Sequence, residues 1–128
     1  MAGGLVSTHA EEIDGIIGST DTWGFIAEAN GVPVGFAELA IRKYANGCTS
    51  RPVPFLEGIW VKGEFRRNGI ATRLLRSAEA FLAARGFSEI GSDAKVENSA
   101  ALASHLGWGF SETERVVYFR KLLTGSEN

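Results

Sequence analysis

A short segment, RRNGIA at residues 66–71, has the residue types of a phosphate-binding loop. It follows a predicted strand and opens a predicted helix, where unpaired backbone N–H groups and a partial positive charge favour anions. Gly69 lets the backbone approach a ligand closely, and Arg66, Arg67 and Asn68 add charge and donors. The segment therefore indicates a diphosphate site over residues 66–72, with a plain turn carrying solvated arginines as the alternative.

A carboxylate on the preceding strand is the second candidate for chemistry. In the alternating pattern of residues 55–61, Glu57 shares one face with the apolar Phe55, Ile59 and Val61. Partial desolvation makes such a carboxylate a stronger proton acceptor, so Glu57 is a candidate general base. Pairing with an arginine is the alternative. Gly58, in mid-strand, predicts a bulge or a close approach by another backbone.

The elements that position these groups follow from periodicity and turn residues. We predict a helix at 8–17, hairpin strands at 23–29 and 34–41 around Asn30-Gly31, a loop at 43–54, a strand at 55–61, a helix at 69–85 ended by Gly86, a strand at 87–92, a short helix from Asn98 or Ser99 to His105, and one or two strands within 110–123. The strand–helix–strand unit implies a right-handed parallel crossover. The fold class is α/β with a mixed sheet, in which Trp60 is expected in the core and Trp23 and Trp108 in packing.

Composition restricts the function classes. With 128 residues, the chain is expected to form one domain over 1–128, with frayed ends at 1–4 and 125–128. Its 13 basic and 15 acidic residues give a net charge of −2, which does not favour nucleic acid. No apolar run approaches about 20 residues. No basic-then-apolar leader is present, so we expect a cytoplasmic protein without membrane contact.

Cysteine and metal chemistry are not favoured. The lone Cys48 excludes an internal disulfide and has no recognisable histidine context for a nucleophile. No His, Cys and acid cluster has metal-ligand spacing, so no metal is expected.

Two motifs in order resemble a known family. Arg66-x-x-Gly69-x-Ala71 resembles the signature of the GCN5-related N-acetyltransferases, and Asn98-x6-His105-x3-Gly109-Phe110 resembles that family's second cofactor motif, with His105 replacing the usual tyrosine. The stretches NGCTSRPVPFLEGIWV and SETERVVYFRK and the Ser92-Asp93 pair resemble one subgroup, the aminoglycoside 6′-N-acetyltransferases of antibiotic resistance. The resemblance covers residues 35–121. It implies an acyl-CoA N-acyltransferase fold, a central mixed sheet flanked by helices.

The resemblance also implies an activity and a site. The activity is direct transfer of an acetyl group from acetyl-CoA to a primary amine, with the 6′-amine of an aminoglycoside as the expected acceptor and no metal. Glu57 is expected as the base, and His105 either as an acid near the sulfur or as a packing residue. The residues expected at the cofactor are Ile59, Trp60, Val61, Arg66, Arg67, Asn68, Gly69, Ile70, Ala71, Thr72, Asn98 and His105. Those expected at the acceptor are Glu38, Tyr44, Glu57 and Asp93.

Other functions stay open at this point. A transferase for another small amine or a peptide, a degenerate coenzyme A-binding protein without transferase activity, and a generic phosphate-binding domain fit the same motifs. The family normally has a strand and a helix before the helix predicted here at 8–17. Only seven residues precede position 8, so the chain is expected to lack that first strand and first helix. An uncovered edge of the 23–42 hairpin would then invite another chain, which predicts a homodimer.

Overall fold

A computed structural model describes the backbone of residues 6–12 and the chain from residue 21 to residue 124. Its elements are strands β1 (Val6–Glu12), β2 (Thr22–Ala29), β3 (Val32–Arg42) and β4 (Val53–Val61), a 3-10 turn (Gly63–Phe65), and helices α1 (Ile70–Ala84) and α2 (Ser99–Gly107). The four strands form one antiparallel ladder in the order β1-β2-β3-β4. The mixed α/β fold class is confirmed.

The β2–β3 hairpin forms where its turn predicts it. Asn30 and Gly31 have φ angles of 53° and 79°, the positive values that a two-residue hairpin of this kind requires. Helix α1 packs on one face of the sheet, where Phe25 and Leu39 are buried against Leu74 and Leu75. Burial of these apolar side chains holds the helix against the strands.

Helix α1 leads into a single parallel contact beside β4. The helix ends at Ala84, and Gly86, just beyond the capping Arg85, has a φ of 88° that confirms the predicted C-terminal glycine. The chain then returns so that Gly91 forms a parallel bridge with Phe55, with the Gly91 carbonyl accepting from Leu56 N at 2.8 Å. The parallel direction of the crossover is confirmed, but the strand predicted at 87–92 is reduced to this one bridge among the described residues.

Two predicted elements are wrong. Residues 8–12 belong to β1, which pairs with β2 from Val6↔Ala29 to Glu12↔Trp23, instead of starting a helix; residues 13–17 lie outside the described part. Partner strand hydrogen bonds outweigh the local capping signals there. β1 also covers the hairpin edge that was expected to be open. Residues 110–122 form no strand, so the strands predicted within 110–123 are absent from the described part of the chain.

The register of β4 with β3 shifts between Glu38 and Leu39, a β-bulge that changes which β4 side chains face the helix. Ile59 and Val61 pack toward the α1 side, whereas Phe55 belongs to a separate cluster with Val53. Trp60 is 47% exposed and its ring lies 6.1 Å from that of Phe36, so the expectation that it is a core residue is wrong. Trp23 and Trp108 do pack against the main core, as predicted.

Candidate active site

The loop between β4 and α1 exposes backbone amides at a helix end. Gly69 precedes α1 with a φ of 76°, and no side chain caps the helix. The N–H groups of the first turn have no intrahelical partners and carry the positive end of the helix dipole. A Cβ built on Gly69 meets nothing within 4 Å, so the space beside these amides is open.

The two arginines and the asparagine of this loop are exposed. The Arg66 guanidinium donates from Nε to the Val61 carbonyl at 3.0 Å, and Asn68 Nδ2 donates to the Phe65 carbonyl at 3.3 Å. These contacts connect the loop to the end of β4 and to the 3-10 turn. Glycine, open space, free amides and positive charge together fit a diphosphate, as the sequence predicts.

Glu57 lies at an irregularity of β4 and is paired with an arginine. Glu38 pairs with Gly58 and Leu39 with Leu56, so Glu57 is the extra residue of a β-bulge. This confirms the irregularity that Gly58 predicts. The Glu57 carboxylate accepts from Arg42 Nε at 2.9 Å and from Arg42 Nη2 at 2.8 Å. The expected apolar surroundings are therefore wrong, and the arginine pair that was the alternative is present.

Arg42, the partner of Glu57, lies over the Phe55 ring, with its Cζ 3.5 Å from the ring centroid. Glu57 is therefore on the Phe55 side of the sheet and does not share a face with Ile59 and Val61. The hydrogen bonds to Glu57 raise the pKa of Arg42 above its ordinary value. Partial burial opposes this rise, and the charges of Glu57 and Asp93 add to it. Asp93 therefore lies near the Arg42–Glu57 pair.

A serine and a histidine form a second polar pair beyond the Gly91 bridge. His105 Nε2 lies 2.7 Å from Ser92 Oγ, and His105 Nδ1 lies 2.7 Å from the Ala101 carbonyl. A carbonyl oxygen only accepts, so Nδ1 carries a proton. In neutral His105, Nε2 therefore accepts from the Ser92 hydroxyl. The His105 ring also contacts the rings of Trp108 and Phe110, at 5.3 and 5.2 Å between centroids.

The loop after β3 is anchored to the returning chain. The Glu89 carboxylate accepts from the backbone N–H of Thr49 and Ser50 and from Ser50 Oγ at 2.6 Å. These hydrogen bonds, those from Ser50 first, lower the pKa of Glu89. The Tyr44 ring is 60% exposed and faces the Arg51 guanidinium at 5.6 Å. Cys48 packs beside the Phe55 cluster, where burial first and the charge of Glu89 second raise its thiol pKa.

Comparison with known proteins identifies the family. The family model described as "Acetyltransferase (GNAT) family" matches residues 7–110. The chain belongs to this family. A GNAT relative, the aminoglycoside N(6′)-acetyltransferase type 1 of Salmonella typhimurium (strain LT2), is 41% identical over 114 residues, which are 88% of this chain and 79% of the relative. The enzyme of the same name from Serratia marcescens is 41% identical over 122 residues, 94% of this chain and 84% of that protein.

A solved GNAT structure shares the fold. AAC(6′)-Iy in complex with the bisubstrate analog CoA-S-monomethyl-acetylneamine superposes with a TM-score of 0.76 and 42% sequence identity, covering 84% of this chain and 74% of that one. The family and the aminoglycoside acetyltransferase subgroup named from the motifs are therefore confirmed. In the described part of this GNAT chain, no helix is long and apolar enough to cross a membrane, and no three His, Cys, Asp or Glu residues form a metal site.

The GNAT fold brings several predicted site residues together. The Glu57 carboxylate binds Arg42, the charge of Asp93 also acts on Arg42, and Glu38 pairs with Gly58, next to the bulge residue Glu57. Asn98 caps α2 by accepting from Ala101 N at 3.0 Å, as predicted. Tyr44 lies in the loop after β3, with its ring beside the Arg51 guanidinium. The loop residues 66–72 form a separate group at the start of α1.

The sequence predicted no role for two residues of this GNAT site, Arg42 and Ser92. Arg42 ends β3, and only the β3–β4 register shows that it reaches Glu57 across 15 positions. Oppositely charged residues on adjacent strands are too common for the sequence alone to indicate which of them form an ion pair. Ser92 was noted only as part of the Ser92-Asp93 pair that resembles the subgroup. Its hydrogen bond with His105 depends on how α2 packs.

Proposed function

We propose that this GNAT enzyme transfers the acetyl group of acetyl-CoA to a primary amine of an aminoglycoside, with the 6′-amine as the acceptor. The relatives at about 41% identity carry this activity in their names. The observation that carries the proposal is the continuity of β4, which holds Glu57 at its bulge and leads directly into the open amide loop at 66–72. One strand therefore serves both the acceptor and the donor.

Acetyl-CoA supplies an activated acetyl thioester and departs as a thiol. The first-turn amides of α1 and the exposed guanidinium groups beside them would hold its pyrophosphate. The backbone of the β4 end beyond the bulge and the Asn98 amide would hold its arm, because the described ladder to the returning chain stops at Gly91. The cofactor residues proposed are Ile59, Trp60, Val61, Arg66, Arg67, Asn68, Gly69, Ile70, Ala71, Thr72, Asn98 and His105.

Glu57 is proposed to accept a proton from the acceptor amine or to orient it. Primary amines are mostly protonated near neutral pH, and only the neutral amine attacks a thioester. The Glu57 side chain is 29% exposed, so an amine can reach its carboxylate from solvent. Asp93 and Glu38 would bind other ammonium groups of a polycationic acceptor, and Tyr44 would line the adjoining loop.

His105 is proposed to act through Ser92 in protonating the leaving thiolate. Both ring nitrogens of His105 have protein partners, Ala101 O and Ser92 Oγ. When the imidazole is protonated, Nε2–H donates to Ser92 Oγ and the Ser92 proton is free to move to sulfur. His105 then returns to the neutral form. The last hydrogen bond between β4 and the returning chain joins Leu56 to Gly91. Glu57 follows Leu56 and Ser92 follows Gly91, so Glu57 and Ser92 flank the point where these two backbones separate.

The purified protein is expected to release free thiol from acetyl-CoA only when kanamycin is present. Calorimetry with acetyl-CoA alone and a thiol assay with kanamycin measure the two steps separately. Binding without release for any aminoglycoside would overturn the acceptor and favour another amine or a coenzyme A-binding protein. Equal binding of free pyrophosphate would favour a generic phosphate site.

We further propose that the chain is a homodimer that covers its C-terminal apolar segment. Val117, Tyr118 and Phe119 are 76%, 82% and 91% exposed. Apolar side chains in one run at this exposure are typical of an interface. Light scattering at tens of micromolar is expected to give twice the chain mass, and Phe119→Asp to give the monomer. Val96→Asp, at a separate exposed apolar position, serves as control; a wild-type monomer would contradict the proposal.

A further inference from the structure

We propose that the Arg42 guanidinium occupies the position of the acceptor's reacting ammonium group, so that the acceptor binds by displacing it. The inference rests on the proposed function, because it places the acceptor amine at Glu57. It adds a specificity residue, Arg42, that competes with every acceptor for the same carboxylate.

The surroundings of Arg42 are those of a cation-binding cage. Both Glu57 oxygens accept from its guanidinium, and the Phe55 ring lies face-on below it at 3.5 Å. The charge of the Asp93 carboxylate also acts on it. Carboxylates combined with an aromatic face bind ammonium and guanidinium ions alike, through ion pairing and cation–π attraction.

Arg42 and an acceptor amine cannot use these groups at the same time. The guanidinium takes one oxygen with Nε and the other with Nη2, which leaves the carboxylate bound in a two-point fork. An amine that gives its proton to Glu57 needs at least one of those oxygens. The proposed proton transfer therefore requires that the fork be opened.

The position of Arg42 allows this opening without a change in the sheet. Arg42 is the last residue of β3, and 41% of its side chain is already exposed to solvent. The loop that follows is held at Thr49 and Ser50 by Glu89. The exchange is thus confined to the Arg42 side chain, while the loop and β4 keep the cage in place.

Removing the competitor is expected to lower the KM for kanamycin. Exposed ion pairs contribute about 0.2–1 kcal/mol and an exposed cation–π contact about 0.5–1 kcal/mol, so the competing contacts correspond to about a 3- to 30-fold change. Arg42→Ala is expected to lower the KM for kanamycin by that factor and to leave the KM for acetyl-CoA unchanged. Arg42→Gln, which keeps more of the side chain, is expected to act in the same direction.

The matched control is Arg85→Ala. The Arg85 guanidinium also lies 3.5 Å over a phenylalanine ring, that of Phe81, but at the end of α1 away from Glu57. Its loss is expected to leave the KM for kanamycin unchanged. Guanidinium chloride at about 0.1 M, a concentration matched to contacts of this strength, should inhibit Arg42→Ala competitively against kanamycin because it refills the cage. NaCl at the same concentration should not do so, and guanidinium chloride should not inhibit the wild-type or Arg85→Ala proteins in this way.

The outcomes separate this inference from the proposed function. If the wild-type protein acetylates kanamycin but Arg42→Ala and Arg42→Gln raise its KM or only lower kcat, Arg42 positions Glu57 and the inference is overturned. If no aminoglycoside is acetylated, the proposed function fails. Guanidinium binding to Arg42→Ala, followed by NMR shifts of residues around Phe55 and Glu57, then supports the cage, and absence of such shifts overturns it.

Discussion

Glu57→Gln is expected to lower kcat for acetyl transfer to kanamycin by about 10²- to 10³-fold, the range of a lost general base. The glutamine amide keeps the size of the side chain and one acceptor oxygen but cannot take the proton of the amine. It also loses the charge that attracts the acceptor ammonium. Binding of acetyl-CoA, measured by calorimetry, is expected to remain as in the wild-type protein, because the amide loop at 66–72 is a separate part of the site.

The control for Glu57 is a carboxylate paired with an arginine elsewhere. Glu79 lies 3.6 Å from Arg76 Nη1 on an exposed part of α1, and Glu79→Gln removes the same charge without touching β4. Its kcat is expected to match the wild-type value. If Glu57→Gln retained the wild-type kcat as well, Glu57 would be a structural partner of Arg42 and the base would have to be another group.

The same assay distinguishes a proton relay from packing at His105. Ser92→Ala and His105→Gln are expected to lower kcat by similar factors, and the double variant by no more than either, because residues that act as a unit are not additive. A packing role alone, through the Trp108 and Phe110 rings, would lower the melting temperature of His105→Gln and leave kcat unchanged.

Local signals predicted the elements that depend on local geometry. The β2–β3 turn follows from Asn30-Gly31, whose backbone needs two positive φ angles, and the end of α1 follows from Gly86. β1 could not be predicted in this way, because its residues carry helix-capping types and become a strand only through their pairing with β2. Residues 110–122 show the converse, since β-forming residue types there do not by themselves produce a strand.

The same distinction, between features set by neighbouring residues and features set by pairing across strands, applies to the candidate site. The amide loop was predictable, because a glycine, two arginines and a helix start lie in consecutive positions. The partner of Glu57 was not, because Gly58 predicts an irregularity without showing which residue is the extra one. The bulge places Glu57 on the Phe55 side, where Arg42 ends its own strand. The register between two strands decides which side chains meet, and the sequence pattern of one strand does not reveal that register.

Gly69→Ala is expected to weaken acetyl-CoA binding by about 10- to 100-fold, since one hydrogen bond to a charged group is worth about 1.5–3 kcal/mol. The φ of 76° at Gly69 is one that residues with a Cβ rarely adopt, and the added methyl group would stand in the open space beside the first-turn amides of α1. A pyrophosphate held by those amides would be pushed away or the helix start would rearrange. Calorimetry with acetyl-CoA measures the loss.

Gly86→Ala provides the control at the other end of the same helix. Gly86 has a φ of 88° and also has nothing within 4 Å of a built Cβ, so both substitutions strain the backbone in the same way. Each is expected to lower the free energy of unfolding by about 1–2 kcal/mol, the cost of a left-handed residue with a side chain. Only Gly69→Ala should lose acetyl-CoA affinity. Equal losses in both variants would mean that strain in α1 is responsible, and unchanged affinity in Gly69→Ala would mean that the amide loop does not hold the pyrophosphate.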